Sequence, residues 1–285
     1  MIESLESRRL LHDATLINGV LSLEGVDGVD DELVITRIGD IFRAQAINDG
    51  FTQDFDASLV RQVRIEGKSG NDTITLVNVD VRAELDGDEG NDTISGGLKR
   101  DTIEGGEGDD VLQGNGDRDL LLGDDGNDTL SGGGKNDTLI GDSGADFLVG
   151  GPGALDMVSY QDESSSISVT IDDVANDGES GENDNIAATC EAFWGGSAAD
   201  FIRGSGKNNN ILGGLGNDTL IGGGGNDTIQ GNGGSDSIEG QGGNDLIFAA
   251  GETGGDVSTD LDTLIGGSGT DTAFGGAEDI IQSVP

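Results

Sequence analysis

The chain of 285 residues contains one cysteine, one histidine, one tryptophan, one tyrosine and two prolines, and its 14 basic residues face 56 acidic ones. A single cysteine forbids an intrachain disulfide, and a single histidine nearly excludes a zinc site, so stability must come from elsewhere. No stretch approaches the length of a membrane span. The opening MIESLESRRLLHDATLING lacks the continuous apolar region of a cleaved signal peptide, and no ordinary Sec-type address is expected. With 33% hydrophobic residues and 53 glycines, a conventional core is not expected either. A formal charge of -42 with few aromatics is a disordered composition unless counter-ions bind, and it makes nucleic acid and acidic membranes poor partners.

What the chain does have is a glycine-and-aspartate repeat of nine residues. From Gly87 it reads GDEGNDTIS, GGLKRDTIE, GGEGDDVLQ, GNGDRDLLL, GDDGNDTLS, GGGKNDTLI and GDSGADFLV. The sixth place is always aspartate: Asp92, Asp101, Asp110, Asp119, Asp128, Asp137 and Asp146. The eighth is always aliphatic and is expected to point inward, each such side chain contributing roughly 1.5–3 kcal/mol, too little for one repeat alone. An earlier copy, GKSGNDTIT, supplies Asp72; a second array from Gly195 supplies Asp200, Asp218, Asp227, Asp236 and Asp245, and after an insertion at 249–261 Asp262 and Asp271. Asn209 takes the aspartate's place in GSGKNNNIL. Periodic carboxylates beside glycines that allow tight turns suit an oxygen-liking divalent cation, and the cofactor expected is calcium, several ions per chain.

Four segments are distinguished: a β-hairpin region at 1–66, a first array at 67–160, an acidic insertion at 161–194 and a second array with a C-terminal cap at 195–285. Asn18-Gly19 and Gly39-Asp40 mark hairpin turns. Alternation of Val77, Val79, Val81, Ala83 and Leu85 predicts one half-buried strand. The five periods of nine between Gly150 and Gly195 make the insertion a bulged part of one stack, with a strand at SISVTI. Its loop from Asn176 to Asn185 is read as a solvated acidic loop, with an extra calcium site as the alternative. Cys190, Phe193 and Trp194 are read as packing a strand.

The consensus GGxGxDxUx, with U a large aliphatic residue, resembles the RTX or haemolysin-type calcium-binding repeat. That resemblance implies an all-β, right-handed parallel β-roll, a β-solenoid in which two nonapeptides make a coil of eighteen residues and calcium sits between turns stacked on one edge. It implies ligands from turn carbonyls and from the sixth-place aspartates, with glycines Gly90, Gly108, Gly126, Gly144, Gly216, Gly225, Gly234 and Gly243 at the fourth place of those turns. It also implies a protein secreted from, or displayed on, a bacterium and folding on contact with extracellular calcium. LESRRLL, from Leu5 to Leu11, resembles the LEPR-x-LL motif of some bacterial extracellular proteins, with Ser7 where that motif has proline.

The eighteen-residue period separates two edges. Repeats starting at 87, 105, 123 and 141 carry glycine at the fourth place, whereas those at 96, 114 and 132 carry Lys99, Asp117 and Lys135, with Arg100 and Arg118 adjacent. A Lys99–Asp117–Lys135 ladder is expected to replace calcium in part, leaving that edge the weaker binder. Counting stacked pairs gives on the order of nine sites.

No catalytic group is expected. GDSGAD at Gly141 is similar to a serine-protease string, but Ser143 falls in repeat register and His12, placed in the tail, is the sole imidazole. Gly67-Lys68-Ser69 resembles the end of a P-loop, which would need glycine at Gln62. The expected function is a non-catalytic, calcium-gated structural or interaction module with a cell-surface or matrix partner. The alternatives are an adhesin-like recognition solenoid or a non-catalytic module attached to a secreted enzyme. Ice binding is disfavoured, because threonine fills the seventh place (Thr93, Thr102, Thr129, Thr138) rather than the third.

Overall fold

The computed structural model describes residues 12–153, 155–172, 174–249, 261–276 and 279–282. LESRRLL, and the insertion at 249–261 apart from its two ends, lie outside the described residues. Among these residues the fold is all-β, with one short 3-10 turn at Ala57–Leu59. The strands form three sheets of 13, 9 and 6 strands that are parallel throughout the arrays.

Each regular coil of the arrays takes eighteen residues, as the period requires. Thr102–Glu107 pairs in parallel with Arg82–Glu89 on one side and Leu120–Asp125 on the other, while Val111–Gly116 lies in the facing sheet beside Thr129–Gly134. Most strands inside the arrays are six residues long: the chain stays extended through the first places of the next repeat and turns only over the fourth to sixth. Gly106 keeps its place in the ladder opposite Asp88 and Asp124 because φ +106 is open to glycine there. The eighth-place residues, Ile94, Ile103, Leu112, Leu121, Leu130, Leu139 and Leu148, are all buried between the sheets. One apolar cluster runs from Ala14 to Leu264.

The N-terminal hairpins close the first edges of two sheets. Ala14–Ile17 and Val20–Glu24 are joined by Asn18 (φ 54) and Gly19 (φ 88), both left-handed as a type I′ turn demands. Glu32–Ile38 and Ile41–Ala46 pair across Gly39, and Phe51–Asp56 adds a third antiparallel strand. Val20–Glu24 then pairs in parallel with Gln62–Glu66, and Glu32–Ile38 with Thr73–Val77, so the hairpins are continuous with the coils.

The single strand predicted from Val77 to Leu85 is two strands in different sheets. Thr73–Val77 ends at Asn78, whose φ of 53 turns the chain, and Arg82–Glu89 begins beyond the corner. Apolar alternation persisted because Val79 is buried inside the corner.

The insertion is part of the stack. The 13-stranded sheet crosses it without a break, Thr138–Ser143 pairing with Met157–Ser159, which pairs with Ala192–Trp194 and then Asn210–Leu215. The facing side is divided: the 9-stranded sheet ends at Asn185–Ile186, and the 6-stranded sheet begins at Ser168–Thr170. Cys190 and Phe193 pack in the core as expected. The loop from Asn176 to Asn185 is not solvated throughout, since Asp177 and Asp184 are buried. Tyr160 donates its hydroxyl to Asp184 Oδ2 at 2.7 Å, and Asp177 accepts N–H groups from Thr170 and Ile186.

Candidate metal centre

The sixth-place aspartates stack into rows, each linked to the next by one of its own oxygens. The N–H of Asp92 donates to Asp110 Oδ1 at 2.6 Å, that of Asp110 to Asp128 at 2.7 Å and that of Asp128 to Asp146 at 2.8 Å. Asp72 precedes them in the same row, donating to Asp92. The second edge carries Asp101, Asp119 and Asp137 in the same manner, and later Asp227, Asp245 and Asp271. A third row, opposite the second on the last sheets, holds Asp200, Asp218, Asp236 and Asp262.

The other carboxylate oxygen is the chemically informative one. Oδ2 is buried and accepts no hydrogen bond in Asp72, Asp92, Asp110, Asp119, Asp128, Asp137, Asp146, Asp218, Asp227, Asp245 and Asp271. A buried carboxylate oxygen without a donor is costly, and a row of them calls for cations. Asp101 and Asp200 differ: their Oδ2 atoms close on their own turns, accepting from Gly97 at 2.6 Å and Gly196 at 2.8 Å. Both stand at the head of a row.

The glycines make room for that oxygen. A Cβ on Gly105 would lie 2.3 Å from Asp110 Oδ2 and 2.8 Å from the Gly123 carbonyl, so the first-place glycine leaves a cradle bordered by a carboxylate and a carbonyl oxygen. Gly87, Gly123 and Gly213 repeat this arrangement. At the fourth place Gly90, Gly108, Gly126, Gly144, Gly216, Gly225, Gly234 and Gly243 have φ between 106 and 153, and a Cβ on Gly90 would fall 1.6 Å from the Gly70 carbonyl. Among the described residues no three His, Cys, Asp or Glu side chains gather as a preformed metal cluster. Each turn brings one buried row carboxylate, and the further donors for an ion would be backbone carbonyls. This all-oxygen set fits calcium, which takes 6–8 hard ligands in flexible geometry.

Burial, opposed by the N–H donors and reinforced by neighbouring carboxylates, raises these acids: Asp72, Asp110, Asp146 and Asp218 to about 7, Asp119 to about 8, and Asp101, Asp128, Asp137 and Asp227 to about 6. The expected Lys99–Asp117–Lys135 ladder is not formed. Asp117 and Lys135 do adopt the left-handed turn conformation, at φ 82 and 88, but Lys99 and Lys135 are exposed, and no ion pair among the described residues includes any of the three. Water solvates the ammonium groups more cheaply than the ladder would hold them.

Sequence periodicity missed four members of the rows. Asp31 accepts nothing from the arrays but donates to Asp72 Oδ1; Asp156 accepts from Asp137, Asp184 from Asp146 and Asp279 from Asp262. Three of them lie in turns enlarged by one residue: GVDGVDDEL from Gly25, GGPGALDMV from Gly150 and GESGENDNI from Gly178 all read G-x-x-G-x-x-D-x-U. Their U residues Leu33, Val158 and Ile186 are buried in the core column. Asp279 ends a turn one residue shorter. His12 is no loose tail residue: it is buried, with Nδ1 2.7 Å from Asp49 Oδ2 and Nε2 3.0 Å from Asp31 Oδ1. Ser143 instead donates to Asp125 in the next turn.

The profile of the RTX calcium-binding nonapeptide repeat, in four copies, matches residues 86–121, 122–154, 194–229, 221–253 and 258–279, just over half of the chain. The chain belongs to the RTX calcium-binding repeat family. Its RTX repeats are thus of a calcium-binding kind, and their parallel two-edged stack is that of a β-roll. The RTX matches resume at residue 194, where the acidic insertion ends. A search among curated proteins finds no match.

Proposed function

We propose that the chain is a non-catalytic calcium-gated module, exported from a bacterium or held on its surface, which gains its rigid form where calcium is plentiful. The observation that carries this reading is the set of buried, donorless Oδ2 oxygens stacked along the turn edges. At a formal charge of -42, folding that brings these groups together without cations opposes itself. Each site filled at ten times its dissociation constant adds roughly 1.4 kcal/mol, so several together match an ordinary domain stability. Extracellular modules of this kind are tuned to about 0.1–1 mM calcium. The ligands in this reading are the row aspartates with bare Oδ2 atoms, together with turn carbonyls beside the first- and fourth-place glycines.

The test is circular dichroism of calcium-stripped protein during titration with calcium and, separately, magnesium. Calcium in the millimolar range should raise β-structure, and magnesium should act far less because it demands a tight octahedral shell. A spectrum that is fully β without calcium at pH about 8 and indifferent to its addition contradicts the gating.

A further inference from the structure

The second-edge row is interrupted at two successive places, and the residues on either side of the step between them complete one another. Between Asp156 and Asp227 its two places are filled by Glu191, which precedes the strand Ala192–Trp194, and by Asn209, which precedes Asn210–Leu215. Asn209 Oδ1 accepts the N–H of Ser205 at 2.9 Å and its hydroxyl at 3.3 Å, and Asn209 Nδ2 donates to the Glu191 carbonyl at 3.4 Å. Glu191 is buried, with Oε2 3.4 Å from the N–H of Asp156. Its Oε1 accepts from Lys207 Nζ at 3.1 Å, and the same ammonium donates to the Ala188 carbonyl at 2.7 Å.

Lys207 is the fourth residue of its turn, the place held by Lys99 and Lys135 on the same edge. Those two point into solvent, whereas Lys207 folds back onto a carboxylate and a backbone carbonyl, the same two kinds of oxygen that border each regular cradle. A regular step lies between two carboxylates and suits a divalent ion; here one glutamate and one neutral amide meet one ammonium, a singly charged donor for a single carboxylate.

We infer that the ε-ammonium of Lys207 stands in for a divalent cation at this step, so that the second-edge row takes up ions as two separate segments, one ending at Asp156 and one beginning at Asp227. Asp156 keeps a buried Oδ2 without a donor, and Asp227 does too, so ion-demanding oxygens flank the step on both sides. The pair is half exposed on the lysine side, and its role is to settle charge and geometry rather than to add much stability.

The inference rests on the calcium reading above, and counting ions separates the two. Bound calcium per chain is measured by equilibrium dialysis for the parent, Asn209→Asp, Lys207→Met and the double variant. Restoring the second carboxylate and removing the ammonium together should add about one ion per chain, and neither single change should add any. An unchanged count in a double variant that keeps its β spectrum, or an added ion in Asn209→Asp alone, overturns the inference and leaves the calcium reading standing; a parent that binds no calcium overturns both. Reductive methylation of the calcium-loaded parent gives a check that needs no variant. Lys207 should be modified severalfold more slowly than Lys99 and Lys135, and equal rates overturn the assignment.

Discussion

Protons should substitute for calcium in this chain. Asp110 and Asp119 are raised to about 7 and about 8 by burial, against an ordinary aspartate value near 3.9, a displacement of roughly three to four units. At about 1.36 kcal/mol per unit this is nominally 4–5 kcal/mol for each ionised group; water along the turn edge reduces it to about 1–2 kcal/mol. Asp72, Asp101, Asp128, Asp137, Asp146, Asp218 and Asp227 are displaced in the same sense, so the sum is on the order of 10 kcal/mol, the size of a whole domain stability. The folded pKa values lie above the unfolded ones, so the calcium-free fold retains protons that the unfolded chain has released. Its stability is therefore full below about pH 4 and is lost as pH rises through about 6 to 8. Calcium-stripped protein should regain β-structure between about pH 8 and pH 5, the lower limit kept above the sequence pI of about 4.1 so that the chain stays charged and soluble. Far-ultraviolet circular dichroism after passage over a chelating resin reads the change. A calcium-free chain that stays unfolded at pH about 5, or is folded and insensitive to pH from about 5 to 8, would falsify the claim that buried bare carboxylates hold the apo chain open.

Other substitutions probe single contacts. Gly90→Ala places a Cβ 1.6 Å from the Gly70 carbonyl at φ 136 and should lose more than about 2 kcal/mol in urea unfolding at saturating calcium, while Gly206→Ala, with nothing within 4 Å, should stay within about 0.5 kcal/mol. With no lysine ladder on the second edge, Asp119→Asn should raise the calcium midpoint by a factor within about three of that for Asp110→Asn; a silent Asp119→Asn would restore the unequal edges expected from the sequence. Tyr160→Phe removes the donor to Asp184 Oδ2 and should cost about 1–3 kcal/mol, seen as a lowered melting temperature even in excess calcium; an unchanged melting temperature would mean that water replaces the hydroxyl.

The coil period, the inward eighth place and the hairpin turns were legible because each depends on a local rule: one aliphatic residue every nine, Asn-Gly where two left-handed residues are needed. The enlarged turns were not, although their aspartates and aliphatic residues occupy the same rows and core column. One inserted residue before Asp31, Asp156 and Asp184 shifts them out of a fixed-period count, while the extra residue stays within the turn and the strand that follows keeps its pairing. The corner at Asn78 failed for the opposite reason. Alternation of valines continued through a change of sheet, since a corner can bury Val79 as well as a strand can. The fate of the lysines depended on reach, which spacing does not encode: Lys207 finds a carboxylate in the turn beneath it and Lys99 does not.

The unequal continuity of the two walls gives the molecule a mechanical grain. Tension along the stack axis is carried across the middle by one unbroken ladder, through Met157–Ser159 and Ala192–Trp194, while the facing wall changes sheets there and is joined by the Asp177 carboxylate, which accepts from Thr170 on one side and Ile186 on the other. That crossing is tied by Tyr160, Asp177, Lys207 and main-chain donors, with the bare Oδ2 of Asp156 beside it. A chain drawn out by force would thus meet a crease whose strength follows the calcium around it less than that of the arrays does. On either side, the arrays would harden or yield with the ionic medium, so the same thread would be stiff at both ends of its length and hinged at a fixed point between them.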